Sequence, residues 1–376
     1  VKILFIINRL GRGGAQRLLL DICMELNLRQ NITYKVVCLE SLNQYPEYTQ
    51  KIPYFVSSNE VKLSIFYKNK IDVSNLQSLI DEFAPDIIHS HLFNSEIVSR
   101  SCYYPSAKWF SHCHGFFPEL RKLSFDTFFS MKKLIRWYDM RYLKQRYIAN
   151  GNNTYIAVSD PIKEYVLEGI KTQCYVLPNA IQFERFNKQH TARILSNQLK
   201  LISVGRFDEN KNQIFLLEVI RKLLDAKIDV HLSLFGDGKT KSMLMAKARS
   251  LEIEKNVSFM GFVNNIEDYY HQSHIYVHSA KKEALGLTLL EAMAAGLPVI
   301  SLDGKGNRDL IEDGKNGYMF KSHDAEEFAS CILELWADKP KFKKMSSYAQ
   351  IFASNFDIVN YTDKLTAIYL AEMQKQ

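Results

Sequence analysis

Cysteine is scarce in this sequence. The 376 residues hold six, Cys23, Cys38, Cys102, Cys113, Cys174 and Cys331, with no C-x-x-C spacing. A chain this long does not need covalent staples, so a disulfide scaffold is excluded and a reducing compartment is expected. No apolar run approaches the roughly 18 residues of a membrane span. The apolar start at residues 3–7 is ended by Asn8 and Arg9 and reads as too short for a secretory signal. There is no Asp-x-Asp pair of the kind that holds a divalent metal against phosphates. Low-complexity segments and repeats of solenoid period are also lacking, which excludes linker-rich and solenoid architectures.

What is present is ordinary in bulk and uneven in detail. The composition is 47% hydrophobic and 24% charged, as in soluble globular proteins, and the length predicts two domains. The net charge of +7 is concentrated: residues 1–180 carry +6, and within them residues 121–146 alone carry +6. A local basic stretch predicts a surface facing something anionic rather than a nucleic-acid-binding chain. Phe125, Phe128, Phe129, Met131, Leu134, Ile135, Trp137 and Tyr138 are interleaved with these charges. Spacing of Phe128, Met131, Leu134/Ile135, Tyr138 and Tyr142 gives one apolar helix face with basic neighbours. Such a helix either lies on an anionic membrane or packs on a sheet with a solvated basic side.

Short apolar runs alternate with amphipathic helical patterns. Strands are predicted at 3–7, 35–39, 86–89, 109–112 and 155–157, and again at 201–204, 229–235, 257–259, 275–278 and 298–301. Helical patterns such as 213–226 and 325–336 fall between them. Strands separated by helices imply parallel sheets built from β-α-β units. The series restarts near residue 200 after a polar, weakly periodic stretch from Pro178 to about Gln198, read as a linker. Two doubly wound domains with ligands at the carboxyl ends of their strands are expected.

The strongest chemical signal spans residues 279–299. A predicted strand ends at His278, a loop carries Glu283 and Gly286, and a helix runs to about Ala295 and contains Glu291. Gly286 permits close backbone approach, and the helix N-terminus offers free N–H groups to phosphate. One carboxylate can grip sugar hydroxyls while the other grips a ribose. A second signal, Val204-Gly205-Arg206-Phe207 with Lys211-Asn212, follows a strand and opens a helix. Its two cations can neutralise a diphosphate, the arginine through paired hydrogen bonds. A third, Gly11-Arg12-Gly13-Gly14-Ala15-Gln16-Arg17, follows the first strand. It half-matches a dinucleotide fingerprint, with Glu40 as a ribose ligand, although Gln16 replaces the third glycine. A fourth, Ser111-His112-Cys113-His114-Gly115-Phe116, ends a strand. His112 and His114 share a strand face, but the sequence shows no third metal ligand beside them.

The 279–299 segment resembles the E-x7-E signature of glycosyltransferase family four, whose members are retaining enzymes of the two-Rossmann-domain (GT-B) fold. It departs from the family's E-G-F-G-L at Ala284 and Leu285, which bears on the sugar recognised. The resemblance implies that Glu283 lies by the donor sugar with Gly286 and Leu287, and that Glu291 binds the ribose. It further implies that Arg206 and Lys211 replace a metal at the diphosphate and that His114 meets the sugar. Gly13 and Gly14 match the family's glycine-rich loop near the donor phosphates or the acceptor, and Gly205 belongs to the segment that carries Arg206 and Lys211. Phe235-Gly236-Asp237-Gly238 resembles the loop near the nucleotide, and Phe262 and Val263 resemble the one whose backbone meets the base. Pro178-Asn179-Ala180-Ile181-Gln182 resembles the interdomain P-N-G-V-D. His89-Ser90-His91 resembles strand-end histidines of structural character.

The domains implied are 1–177, with a final helix 356–376 packing back on it, and 178–355. The function implied is retaining, metal-independent transfer of a sugar from a nucleoside diphosphate, UDP by family frequency. No cofactor and no metal are expected. The acceptor expected is a glycan or polyprenyl-linked glycan, as in bacterial surface polysaccharide synthesis. The expected location is the cytoplasm, with residues 121–146 as a candidate peripheral contact on the inner face of the plasma membrane. Two alternatives remain at this point: an NAD-dependent oxidoreductase using the first glycine loop, and a catalytically silent nucleotide-sugar-binding partner.

Overall fold

A computed structural model describes residues 1–115, 130–151, 153–187 and 198–375. The chain divides into two compact units, one of Val1–Asn179 with Ile358–Gln376 and one of Ala180–Asp357.

The first unit carries β1 (Lys2–Ile7), β2 (Thr33–Cys38), β3 (Tyr54–Val56), a hairpin of β4 (Glu60–Lys62) and β5 (Lys70–Asp72), then β6 (Ile87–His91), β7 (Lys108–Cys113), β8 (Thr154–Ala157) and β9 (Gln173–Val176). Seven of these form one sheet in the order β3-β2-β1-β6-β7-β8-β9. Its pairs are parallel throughout. Ile3, Leu4, Phe5, Ile6 and Ile7 are all fully buried, because helices cover both faces of a parallel sheet. That is why β1 reads as a continuous apolar run. The C-terminal helix Ile358–Gln374 belongs to this unit and packs on the helix Gly14–Leu26. Tyr175 of β9 donates to Glu372 of that last helix at 2.6 Å.

The basic helix Met131–Ala149 is held by a buried polar network. Glu96 accepts from Ser111, from Tyr147 and, at 3.1 Å, from Tyr155. The Arg100 guanidinium lies 4.3 Å from the Trp109 ring centre and 4.8 Å from that of Tyr147. These contacts turn Met140, Tyr142, Leu143 and Tyr147 inward, while Met131 and Ile135 stay exposed. The apolar face predicted by spacing is therefore divided: Tyr142 is packed, and Met131 and Ile135 face solvent beside Lys132 and Lys133. Residues 116–129, which include Phe125, Phe128 and Phe129, lie outside the described residues.

The second unit carries β10 (Leu199–Val204), β11 (Val230–Phe235), β12 (Val257–Gly261), β13 (Ile275–His278), β14 (Val299–Leu302) and β15 (Gly317–Phe320). Their order is β12-β11-β10-β13-β14-β15, all parallel. In both units the winding reverses beside the first strand, between β1 and β6 and between β10 and β13. Such switch points open a crevice at the carboxyl ends of the strands.

Each of the ten strands expected from sequence is present within a residue or two of its expected limits. The structure adds β3, β4, β5, β9 and β15. These are three or four residues long and largely half-exposed, so they carry no apolar run to read. The stretch read as a linker begins with packed structure. Arg185 reaches Glu267 at 2.8 Å, and Phe186 is buried against Tyr270. Residues 188–197 lie outside the described residues.

Candidate active site

The switch point of the second unit is built by two loops bonded to each other. One follows β10 and the other follows β13. Ser279 Oγ donates to the Lys211 carbonyl, Lys281 N to the Asn210 carbonyl, and Asn210 Nδ2 to the Lys282 carbonyl, each at 2.8 Å. Asp208 shapes the first loop by accepting from the backbone N–H groups of Asn210 at 3.0 Å and Lys211 at 2.9 Å. The result is that Lys211 Nζ lies 2.5 Å from Glu283 Oε2, and His278 Nε2 lies 3.2 Å from the same oxygen. Burial opposes charge on Glu283, but the Lys211 ammonium and the His278 ring outweigh it. They hold its carboxyl well below the usual carboxylate range. Burial also pulls the His278 pKa down, against the pull of Glu283.

A third loop, after β14, clasps Glu283 from behind. Glu283 N donates to the Gly304 carbonyl at 2.7 Å, and Gly306 N to the Glu283 carbonyl at 3.1 Å. Asn307 is fully buried and accepts from Gly304 N at 2.8 Å while donating to Ser301 Oγ at 2.8 Å and the Leu302 carbonyl at 2.9 Å. A Cβ on Gly306 would stand 2.1 Å from the Ala284 carbonyl oxygen, so only glycine fits there. Gly286, at φ 99°, turns the loop into the helix Leu287–Ala294. Glu283 is thus a loop residue and Glu291 a helical one. Glu291 accepts from Tyr270 OH at 3.1 Å.

The two cations differ. Lys211 is engaged by Glu283, whereas Arg206 is exposed and only 3.4 Å from Asp208. The helix they were expected to open begins at Gln213, after Asn212 adopts a left-handed conformation at φ 52°. Gly205 N donates to the Phe235 carbonyl at 2.9 Å, and Gly236 N to the Gly261 carbonyl at 2.8 Å. This aligns Gly205, Gly236 and the Phe262-Val263 pair along the carboxyl ends of β10, β11 and β12. Gly304, Gly306, Asn307, Asn210 and His278 were not singled out from the sequence. His278 was legible as the residue preceding the motif at a strand end. The three residues after β14 gave no such signal.

In the first unit Gly13 caps the helix that begins at Gly14. Glu40 is taken up by Asn8 at 2.8 Å and Arg9 at 3.4 Å. His114 Nε2 lies 3.0 Å from His91 Nδ1, and its ring stacks on that of His112 at 4.0 Å. Desolvation pushes the His114 pKa down to about 3. The sequence shows no further histidine beside His112 and His114; the strand pairing supplies two. β6 and β7 pair with His91 opposite His112, so His89 and His91 join the same face. Donor nitrogens of His89, His91 and His112 all lie within 4.8 Å of one another.

Two Rossmann-ordered parallel-sheet units, the second with basic and acidic side chains gathered at its switch point, define the GT-B fold. The family described as Glycosyltransferase Family 4 matches residues 12–185, and that described as Glycosyl transferases group 1 matches residues 184–352. The chain belongs to this family of glycosyltransferases. It is 22% identical over 95% of its length to the UDP-Gal:alpha-D-GlcNAc-diphosphoundecaprenol alpha-1,3-galactosyltransferase of Escherichia coli, of which it covers 94%. It is 27% identical over 50% of its length to the N-acetylgalactosamine-N,N'-diacetylbacillosaminyl-diphospho-undecaprenol 4-alpha-N-acetylgalactosaminyltransferase of Campylobacter jejuni, of which it covers 51%. Among solved structures it is similar to Anabaena HepE in complex with UDP, with a TM-score of 0.80 and 20% identity over 99% of this chain and 100% of that one. Family membership leaves the oxidoreductase reading without support.

Proposed function

We propose that this chain is a retaining glycosyltransferase that takes a sugar from UDP and places it on a polyprenyl diphosphate-linked or growing glycan, with no metal ion at the donor diphosphate. The observation that carries the reading is the Lys211–Glu283–His278 group at the switch point, beside exposed Arg206. The UDP donor and lipid-linked acceptor are carried over from the relatives, two of which are named for undecaprenyl diphosphate acceptors and one of which was solved with UDP.

In this reading Glu291 binds the ribose, and Arg206 and Lys211 stabilise the leaving diphosphate, where charge grows during bond breaking. Lysine has three donors, so Lys211 can hold Glu283 and a phosphate oxygen together. Glu283 and the Gly286-Leu287 backbone contact the sugar. Gly205, Gly236, Phe262 and Val263 contribute backbone approach to phosphate or base. The acceptor hydroxyl attacks the anomeric carbon on the face the phosphate leaves. The bond to the phosphate oxygen breaks, and that oxygen takes the hydroxyl proton. Configuration is kept without a protein nucleophile. The exposed basic side of Met131–Ala149 would rest on an anionic membrane where such acceptors reside.

The test is transfer from UDP-sugars to a polyprenyl diphosphate-linked glycan, with and without EDTA, with the product anomer read by NMR. Transfer that persists in EDTA and keeps the donor's configuration is expected. An inverted product, or activity lost in EDTA and restored by Mg²⁺ or Mn²⁺, overturns it. So does an absence of heat with UDP at millimolar concentration.

A further inference from the structure

The histidines of the first unit are more than the donor reading uses. We propose that His89, His91 and His112 form a site for a transition-metal dication, Zn²⁺ being the test ion, at the carboxyl ends of β6 and β7.

The argument starts from register. In a parallel pair, side chains two apart on each strand share a face. With His91 opposite His112, the sequence His89-Ser90-His91 brings two rings beside His112, and His114 follows on the same side. The rings are close: centroids of His89 and His91 are 4.5 Å apart, of His91 and His112 5.0 Å, and of His89 and His112 5.3 Å. His89 and His91 are fully buried and His112 is 2% exposed.

The pattern of hydrogen bonds is directional. His89 Nδ1 is engaged by Tyr369 OH at 2.5 Å and His91 Nδ1 by His114 Nε2 at 3.0 Å. In both rings it is Nε2 that is buried with no partner, and in His112 both nitrogens are. A metal-binding histidine commonly has one nitrogen fixed by a second group and the other turned to the ion. Buried nitrogens with no partner forfeit the hydrogen bonds they made in water, and an ion would restore the lost interaction. Tetrahedral zinc at about 2.0–2.1 Å from each ligand needs nitrogens about 3.3 Å apart. One donor atom from each ring now lies within 4.8 Å of the others, so binding would draw them closer by up to about 1.5 Å.

The donor set selects the ion class. Three imidazoles suit Zn²⁺, Cu²⁺ or Ni²⁺, whereas Mg²⁺ and Ca²⁺ prefer oxygen. A fourth position remains for water or hydroxide, the latter offsetting one of the two charges. The site uses none of the residues proposed at the donor diphosphate, and it stands whether or not that reading holds.

The experiment uses the full chain without a histidine tag. After incubation with Zn²⁺ and desalting, metal is counted by mass spectrometry, and Co²⁺ is titrated while visible d–d bands are recorded. One retained equivalent and Co²⁺ bands typical of nitrogen ligation are expected. His112→Asn should weaken uptake at least tenfold, Tyr369→Phe by about tenfold through the orientation of His89, and His231→Asn should leave it unchanged. No retained zinc and no Co²⁺ bands in the parent overturn the site, as does equal uptake by folded His112→Asn. If His112→Asn does not fold, the parent's cobalt spectrum and Tyr369→Phe decide. Activity lost in EDTA and restored by Zn²⁺ alone would speak to this cluster, and restoration by Mg²⁺ to the diphosphate.

Discussion

Glu283 keeps its charge while its side chain is only 14% exposed, because Lys211 and His278 share one of its oxygens. Replacing Lys211 with Met would strand that carboxylate. A loss on the order of 3 kcal/mol in stability is expected. The lowered pKa of Glu283 gives the parent stability that is complete above the ordinary value of 4.5 and is lost as pH falls below it. The melting-temperature gap between parent and Lys211→Met should narrow on acidification, first as the variant's stranded carboxylate takes up a proton and then, well below pH 4.5, as the parent loses its own stabilisation. Arg206 behaves differently, because its side chain is 73% exposed. Arg206→Ala should change stability by less than about 0.5 kcal/mol yet slow transfer on the order of a hundredfold. Parent-like turnover of that variant would remove Arg206 from the diphosphate. At this scale the sequence exposed the types and spacing of Arg206, Lys211, Glu283 and Glu291. It did not show that Lys211 and Glu283 touch, since 72 residues separate them.

At the scale of elements, the three loops after β10, β13 and β14 act as one frame. The first two were legible, because each carries a charged motif after an apolar run. The third was not, because Asp303-Gly304-Lys305-Gly306-Asn307 has no chemistry that local pattern can read. Its role appears only where Gly306 meets the Ala284 carbonyl. Gly306→Ala must push backbone against backbone. A destabilisation of about 1–3 kcal/mol is expected by thermal melting. Turnover should fall on the order of a hundredfold, because Glu283 would shift by a fraction of its reach. A variant with parent melting and parent rate would show that the loop is not a support. The edge strands β3 and β15 escaped sequence reading for a related reason: strands only half-covered carry a weaker apolar signal.

Over the whole molecule, the charge excess lies in the first half, and the exposed N-terminal part of Met131–Ala149 holds Met131, Lys132, Lys133 and Ile135. For the proposed membrane contact, sedimentation with anionic vesicles and not with neutral ones is expected. Lys132→Ser with Lys133→Ser should weaken it about thirtyfold, at roughly 1 kcal/mol per charge, with melting unchanged. Equal binding to neutral vesicles would exclude the electrostatic contact. Among the described residues no helix is long and apolar enough to cross a membrane. What the sequence determined by itself was the alternation of strands and helices, hence two parallel sheets, together with the motifs at their strand ends. Burial on both faces of a sheet writes itself into consecutive apolar residues, and loop chemistry into short local patterns. Only the tertiary structure decided which loops touch, that Lys211 faces Glu283, and that three histidines from two strands gather on one face with His114 beside them. Strand order and register join residues far apart in the chain, and no local pattern encodes that pairing.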